Sequence, residues 1–511
     1  MPTYLSPGVY VEEMEAGSRP IEGVGTAVAA FVGIAAQGPV NEPTLITNWS
    51  QFTQTFGEFV EGSYLAHSVY GYFMNGGGAC YVVRVGANGH TPQAQAELTA
   101  GTGDKKVAAY RVEALEEGPA GNDLTVEVAD PDASDGGADD AFKLLVKRGN
   151  KVEEQFDKVT TKKGKQNVVT VVNQQSKLIR LKEAAPASQL AVPEKGGVSL
   201  AGGGAPTPKS LSPDDYVGDT ADRTGFGGLE AIDAVTMVCV PDLMAAYQQG
   251  MLDLEGVQAV QLAQIAHCEL MGDRVAVLDP PPGLNAQQIR EWRVDKAGYD
   301  SKYAALYWPW IKVFDPASGQ TMAMPPSAHV AGIWGRNDDT RGVHKAPANE
   351  VVRGAISLEL QITKNEHDLL NPHGINCLRS FPGRGIRVWG ARTLSSDPAW
   401  RYLNIRRLFN YLEESILGGT QWAVFEPNDH ALWAKMRRTI SAFLVNEWRK
   451  GALFGLTPDE AFYVKCDDET NPAESIDAGM VICEIGVAPV KPAEFVIFRL
   501  SQYSGGAALT E

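Results

Sequence analysis

Near-continuous apolar runs alternate with helical periods through most of the chain. Residues 26–35 read as a buried strand, 64–74 as a helix that stops at Gly76-Gly77-Gly78, and 79–85 as the next strand. The same alternation returns at 235–240 (strand), 256–271 (helix) and 274–279 (strand), and continues through 287–295 and 303–314. Strands that are apolar on both faces, spaced by helices, predict a parallel sheet covered by helices. Two later helices, 400–417 and 430–450, follow, the second with Leu432, Met436, Ile440, Phe443 and Leu444 on one face. Strands at 461–466, 480–487 and 494–500 close the pattern. The fold class is therefore α/β, with α and β mixed, in several domains.

The outermost two runs have no hairpin neighbour. Pro7-Gly8-Val9-Tyr10-Val11-Glu12-Glu13 is a turn followed by an alternating run, and Phe495, Val496, Ile497, Phe498 and Leu500 form another after Pro489 and Pro492. Unpaired strands present free N–H and C=O groups to other chains. Lone strands at both ends point to a polymer, with Gly17, Pro20, Pro489 and Pro492 as expected hinges.

Between about 90 and 215 the pattern changes. Tryptophan is absent, aromatics shrink to Tyr110, Phe142 and Phe156, and short runs at 124–128, 142–147 and 168–172 are separated by turn residues. These predict a small β-rich insertion on the outside of the main body, flanked by linkers at 86–89 and 206–213. The expected organisation is an N-terminal arm at 1–25, a core of 26–90 plus 216–487, an insertion at 91–215 and a C-terminal arm at 488–511.

Composition narrows the functional classes. At 511 residues the chain exceeds one ordinary core, and its apolar fraction of 44% and charged fraction of 21% are those of a globular protein. No run reaches the ~20 apolar residues of a membrane helix, and Met1-Pro2-Thr3-Tyr4 lacks signal-peptide character, so assembly in the cytosol is expected. A net charge of -17 argues against general nucleic-acid binding. The six cysteines are scattered without a CxxC pair, which predicts buried reduced thiols.

No catalytic set emerges, and neither an enzyme nor a cofactor or metal site is expected. His373 and Cys377 could form a nucleophilic pair, but no oxyanion site accompanies them. His367 and His373 are not at a helical metal-ligand spacing, and the glycine triplets lack P-loop or dinucleotide spacing. Asp279 stands at a strand end, where an α/β enzyme carries a functional carboxylate, although Pro280-Pro281-Pro282 makes capping at least as good a reading. Arg401, Arg406 and Arg407 stand out in an acidic chain, either as a solvated helix face or as a face for an acidic partner. A cytosolic α/β enzyme with a β-rich insertion is the alternative, and it lacks a convergent titratable set.

From residue 303 onward the chain resembles the sheath proteins of contractile phage tails and related injection systems. The matching segments are Tyr303-Ala304-Ala305-Leu306-Tyr307-Trp308-Pro309-Trp310, Pro325-Pro326-Ser327-Ala328-His329-Val330-Ala331-Gly332, Arg341-Gly342-Val343-His344-Lys345-Ala346-Pro347-Ala348-Asn349, Leu370-Asn371-Pro372-His373-Gly374-Ile375-Asn376 and Trp448–Leu453. Val388-Trp389-Gly390-Ala391-Arg392-Thr393-Leu394 is the most specific, and Val424-Phe425-Glu426-Pro427-Asn428 and Ala488-Pro489-Val490-Lys491-Pro492-Ala493-Glu494-Phe495 complete the series. The first-strand motif at 7–13 and Gly76 to Val85 also fit.

The resemblance implies a multi-domain subunit that polymerises as stacked six-subunit rings around an inner tube and contracts to drive that tube through a target envelope. It implies a tube-proximal core, mainly 340–487, and a variable outer insertion. It also implies terminal arms, through Val9, Tyr10, Val11 and Glu12 at one end and Phe495, Val496, Ile497, Phe498 and Leu500 at the other, that add strands to neighbours. The receiving sheet is expected at 461–466 and 480–487, and Arg401, Arg406 and Arg407 are the candidate tube-facing residues. Implied partners are copies of itself, the inner tube protein, and baseplate and cap proteins, in a particle assembled in the bacterial cytoplasm and released from some cells.

Overall fold

The computed structural model describes residues 20–86, 93–100, 107–132, 140–184, 191–204 and 210–500. Its centre is a nine-stranded sheet. The strands run in the order Glu350–Val351, Gly385–Val388, Ile375–Phe381, Ala304–Trp308, Val275–Leu278, Met237–Cys239, Val28–Gly33, Ala79–Arg84 and Thr44–Ile46. The six strands from Ile375–Phe381 to Ala79–Arg84 are parallel, with Phe31 opposite Val82 and Cys239 and with Leu306 opposite Ile375. Antiparallel strands close both edges. The inner strands are buried on both faces, as their continuous apolar composition requires.

Helices Leu254–Met271 and Ser327–Arg341 cover the sheet, and Leu65–Met74 packs on the latter. The chain leaves Leu65–Met74 through Gly76 at φ +106°. A Cβ on Gly77 would meet the Tyr72 ring at 2.2 Å, so the triplet is a close-packed turn. Asp279 accepts from the Ser327 backbone N–H at 3.0 Å and from its hydroxyl at 2.5 Å, which makes it a cap for the Ser327–Arg341 helix. Complete burial raises its carboxyl to about 7 despite those bonds.

The described residues between 93 and 204 gather around an apolar cluster of their own that includes Tyr110, Leu144, Phe156 and Val172. Gly196–Ser199, Leu124–Ala129, Phe142–Arg148 and Lys151–Val159 form a four-stranded antiparallel sheet there. Gln93–Ala100, Val107–Glu117 and Ile179–Glu183 form a three-stranded one. The run at 168–172, expected as a strand, is instead the start of helix Val168–Gln175. Asn167 caps it by accepting from the Thr170 N–H, and Val168 and Val172 share its buried side, the four-residue spacing of a helix.

The run at 303–314 is two strands. Ala304–Trp308 stays in the main sheet, and beyond Pro309 the chain enters Ile311–Asp315 of a three-stranded sheet with Gln320–Met324 and Ala355–Leu358. Helices Leu403–Thr420 and His430–Arg449 pack with the antiparallel pair Phe462–Lys465 and Glu484–Val487 around Leu408, Leu412, Ile440, Phe443 and Leu444.

Candidate assembly surface

The residues singled out for inter-chain contact divide sharply by burial. Val9, Tyr10, Val11 and Glu12, with the Gly17 hinge, lie outside the described residues. At the other end, 494–500 forms no strand within its own chain. Phe495, Val496, Ile497, Phe498 and Leu500 are 68–97% exposed. Five adjacent apolar side chains in water form a patch that a stable monomer rarely leaves uncovered.

The root of that segment is held firmly. Glu494 accepts from Arg392 Nε at 2.8 Å and Nη2 at 2.6 Å, from Asn371 Nδ2 at 2.9 Å and from the Tyr402 hydroxyl at 3.1 Å. Burial alone would raise its carboxyl, but the Arg392 and Asn371 bonds outweigh that and leave it lowered. Upstream, the Val490 N–H donates to the Ala452 carbonyl at 3.2 Å and the Phe454 N–H to the Ala488 carbonyl at 2.8 Å. Pro489 and Pro492 are therefore not loose hinges: the segment is docked through Glu494, and its free portion starts at Phe495.

The start of the described chain is docked in the same manner. The Val24 N–H donates to Ser415 Oγ at 3.1 Å, and the Thr26 hydroxyl to Asp338 at 2.6 Å. Arg407 completes the joint, donating to both Asp338 oxygens at 2.9 and 2.5 Å and to the Thr26 carbonyl at 3.0 Å. Its guanidinium also lies 4.8 Å from the Trp334 ring centroid.

Two of the three arginines proposed to face a tube are buried. Arg406 is 1% and Arg407 5% exposed. Arg406 donates to Asn410 at 2.7 Å and to Glu413 at 3.1 Å, and sits 4.5 Å from the Trp400 ring and 4.7 Å from the Tyr303 ring. A charge so enclosed survives only when fully paired, and these pairs are internal. Arg406 and Arg407 cannot present a basic face, which leaves only Arg401 exposed. Arg407's structural role has no local signal, because its acceptors Asp338 and Thr26 come from distant chain, whereas Arg406 had Asn410 and Glu413 at helical spacing on its own helix.

The enzyme-like candidates do not converge. Cys377 lies fully buried in the main sheet with its sulfur 3.8 Å from the Ile375 carbonyl, while His373 faces Arg290 at 3.3 Å. Burial pushes the Cys377 thiol far up, the opposite of an activated nucleophile. His367 is buried, and among the described residues no group of His, Cys, Asp or Glu has a metal-binding arrangement. No helix among them is long and apolar enough to cross a membrane.

The described residues here are a two-stranded sheet, a docked arm root and an exposed apolar run. Two adjoining family models match here: the phage tail sheath protein central domain over residues 229–394 and the phage tail sheath C-terminal domain over 395–502. The chain belongs to the phage tail sheath family. It is 24% identical over 520 aligned positions to the tail sheath protein of Burkholderia phage BcepMu, covering 96% of this chain and 95% of that protein. It is 26% identical over 262 residues to the tail sheath protein of Vibrio phage KVP40, covering 47% of this chain and only 38% of that longer protein. Its fold matches that of the anti-feeding prophage helical sheath in the contracted state, with a TM-score of 0.60, 23% identity, and coverage of 98% of this chain and 100% of that one. The 395–502 match takes in the two-stranded sheet Phe462–Lys465 and Glu484–Val487 and the exposed run Phe495 to Leu500.

Proposed function

We propose that this sheath-family chain is the structural subunit of a contractile tail or tail-like particle. In this reading it polymerises as a helical stack of six-subunit rings around an inner tube, and the sheath contracts to drive the tube through an envelope. The observation that carries it is the exposed run Phe495 to Leu500, which has strand composition and no strand partner in its own chain. A sheet of only two strands, Phe462–Lys465 and Glu484–Val487, is a suitable acceptor in a second copy. Each added main-chain bond contributes about 0.5–1.5 kcal/mol and each fully covered Phe or Ile about 1.5–3 kcal/mol.

The proposed partition is an N-terminal arm at 1–25, a core of 26–90 and 216–487, an outer β-rich insertion at 91–215 and a C-terminal arm at 488–511. The 1–13 segment would supply the second added strand, and inner tube, baseplate and cap proteins would be the other partners. The tube-proximal face is proposed within 340–487, with Arg401 as the remaining exposed arginine of the original three. Electron microscopy of a chain lacking residues 1–13 tests the mesh of arms: loss of extended sheaths is expected, and normal ones would contradict it.

A further inference from the structure

The antiparallel hairpin Ile375–Phe381 and Gly385–Val388, at one side of the main sheet, places Arg379 directly opposite Arg387. Like charges in a cross-strand pair destabilise a hairpin unless an anion lies between or over them. From 379 to 392 the chain carries four arginines and no carboxylate, and Glu350, opposite Val388 on the neighbouring strand, is paired with Lys345 at 3.0 Å and Arg336 at 3.9 Å. Arg379, Arg384 and Arg387 have no acidic partner within 4.0 Å among the described residues. Arg384 donates to Asn349 Oδ1 at 3.1 Å and Arg387 to the Asn349 carbonyl at 2.7 Å, neutral acceptors that orient both without cancelling their charge.

The Phe381 ring organises the patch further. Arg379 and Arg384 lie 5.4 and 5.8 Å from its centroid, which holds their planar groups in place before any partner arrives. Arg379 Nε is buried without a hydrogen-bond acceptor, and so is Nε2 of the nearby His367, which is 8% exposed. Three guanidiniums without a carboxylate within 4.0 Å among the described residues are suited to pair with carboxylates.

The same chain offers a complement. Residues 467–484 contain Asp467, Asp468, Glu469, Glu474, Asp477 and Glu484, with no lysine or arginine. Glu474 and Asp477 are exposed and make no ion pair within 4.0 Å among the described residues. Copies of a chain carrying -17 repel one another on average, so locally opposite charge favours close contact between them. We propose that the arginine hairpin is an inter-subunit docking surface that receives the acidic 467–484 segment of a second copy. This rests on the self-assembly reading, and it adds a salt-sensitive contact separate from strand addition.

The test uses the full chain, with sedimentation velocity and electron microscopy over a salt series. Arg384→Glu with Arg387→Glu, and separately Glu474→Lys with Asp477→Lys, should each reduce the polymer fraction at low salt by about tenfold. Combining all four substitutions should restore it. Circular dichroism melts confirm folding, and if the Glu variant melts early, Arg384→Gln with Arg387→Gln should still flatten the salt dependence. Wild-type assembly with unaffected reversal variants overturns this inference alone, as does a folded four-fold variant that fails to recover. Loss of tube attachment with sheath polymers intact would also overturn it, by assigning the hairpin to another partner. A wild-type chain that stays monomeric would instead overturn the assembly reading itself.

Discussion

Arg392 and Glu494, 102 residues apart, form a two-pronged ion pair with nitrogen–oxygen distances of 2.8 and 2.6 Å. The pair joins the central body to the last docked residue before the exposed arm. Glu494 also takes hydrogen bonds from Asn371 and Tyr402, so three separate segments converge on one carboxylate. The exposed run begins at the next residue, Phe495.

Breaking this clamp should loosen the arm root without unfolding the body. Arg392→Ala leaves a partly buried carboxylate unpaired, a loss of about 2 kcal/mol once partial exposure is allowed for. Hydrogen exchange in the peptide spanning 488–494 should accelerate by about thirtyfold, with the main sheet unchanged. The carboxyl is held below its ordinary range, so the clamp is present above that range and is lost as pH falls through its lowered value.

Removing Arg407 or Asp338 should be far more damaging. Both side chains are 4% exposed, and each loss strands the other charge in the interior. Arg407→Ala or Asp338→Ala should each cost about 3–5 kcal/mol in urea unfolding, and the double variant less than their sum.

Asp279 should make stability fall as pH rises. Its carboxyl is raised to about 7 by burial, so its contribution is fully present below an ordinary aspartate value and is lost as pH climbs through 7. The difference reaches about 4 kcal/mol at pH 8. Asp242, also fully buried and raised to about 6, acts in the same direction. Asp279→Asn retains an acceptor for the Ser327 N–H, so its melting temperature should change less between pH 5 and 8 than that of the wild type.

The main sheet was legible because its strands are apolar on both faces and its glycine turns are local. The Ser327–Arg341 helix was not. It is buried almost all round from Ser327 to Gly335, and a Cβ on Gly332 would meet the Tyr72 carbonyl at 2.3 Å. A helix enclosed on every side shows no amphipathic period to detect. Val168 misled in the opposite sense, since β-branched residues suit strands and only the Asn167 cap tips the run to a helix.

Charge was the least legible property. Arg406 and Arg407 look like surface residues until Tyr303 and Asp338 arrive from distant chain to help enclose them. The run at 494–500, expected as a strand, is not one in the structure, and its Phe495, Ile497 and Phe498 side chains are exposed.

The central claim is that this exposed run joins subunits. Ile497 and Phe498 are 78% and 84% exposed, so Ile497→Asp with Phe498→Asp should shift monomer stability by no more than about 0.5 kcal/mol. Electron microscopy of purified wild-type and variant chains at equal concentration measures the consequence directly. The account predicts long sheath-like cylinders for the wild type and only isolated, folded subunits for the variant. Cylinders of equal length from both would contradict it.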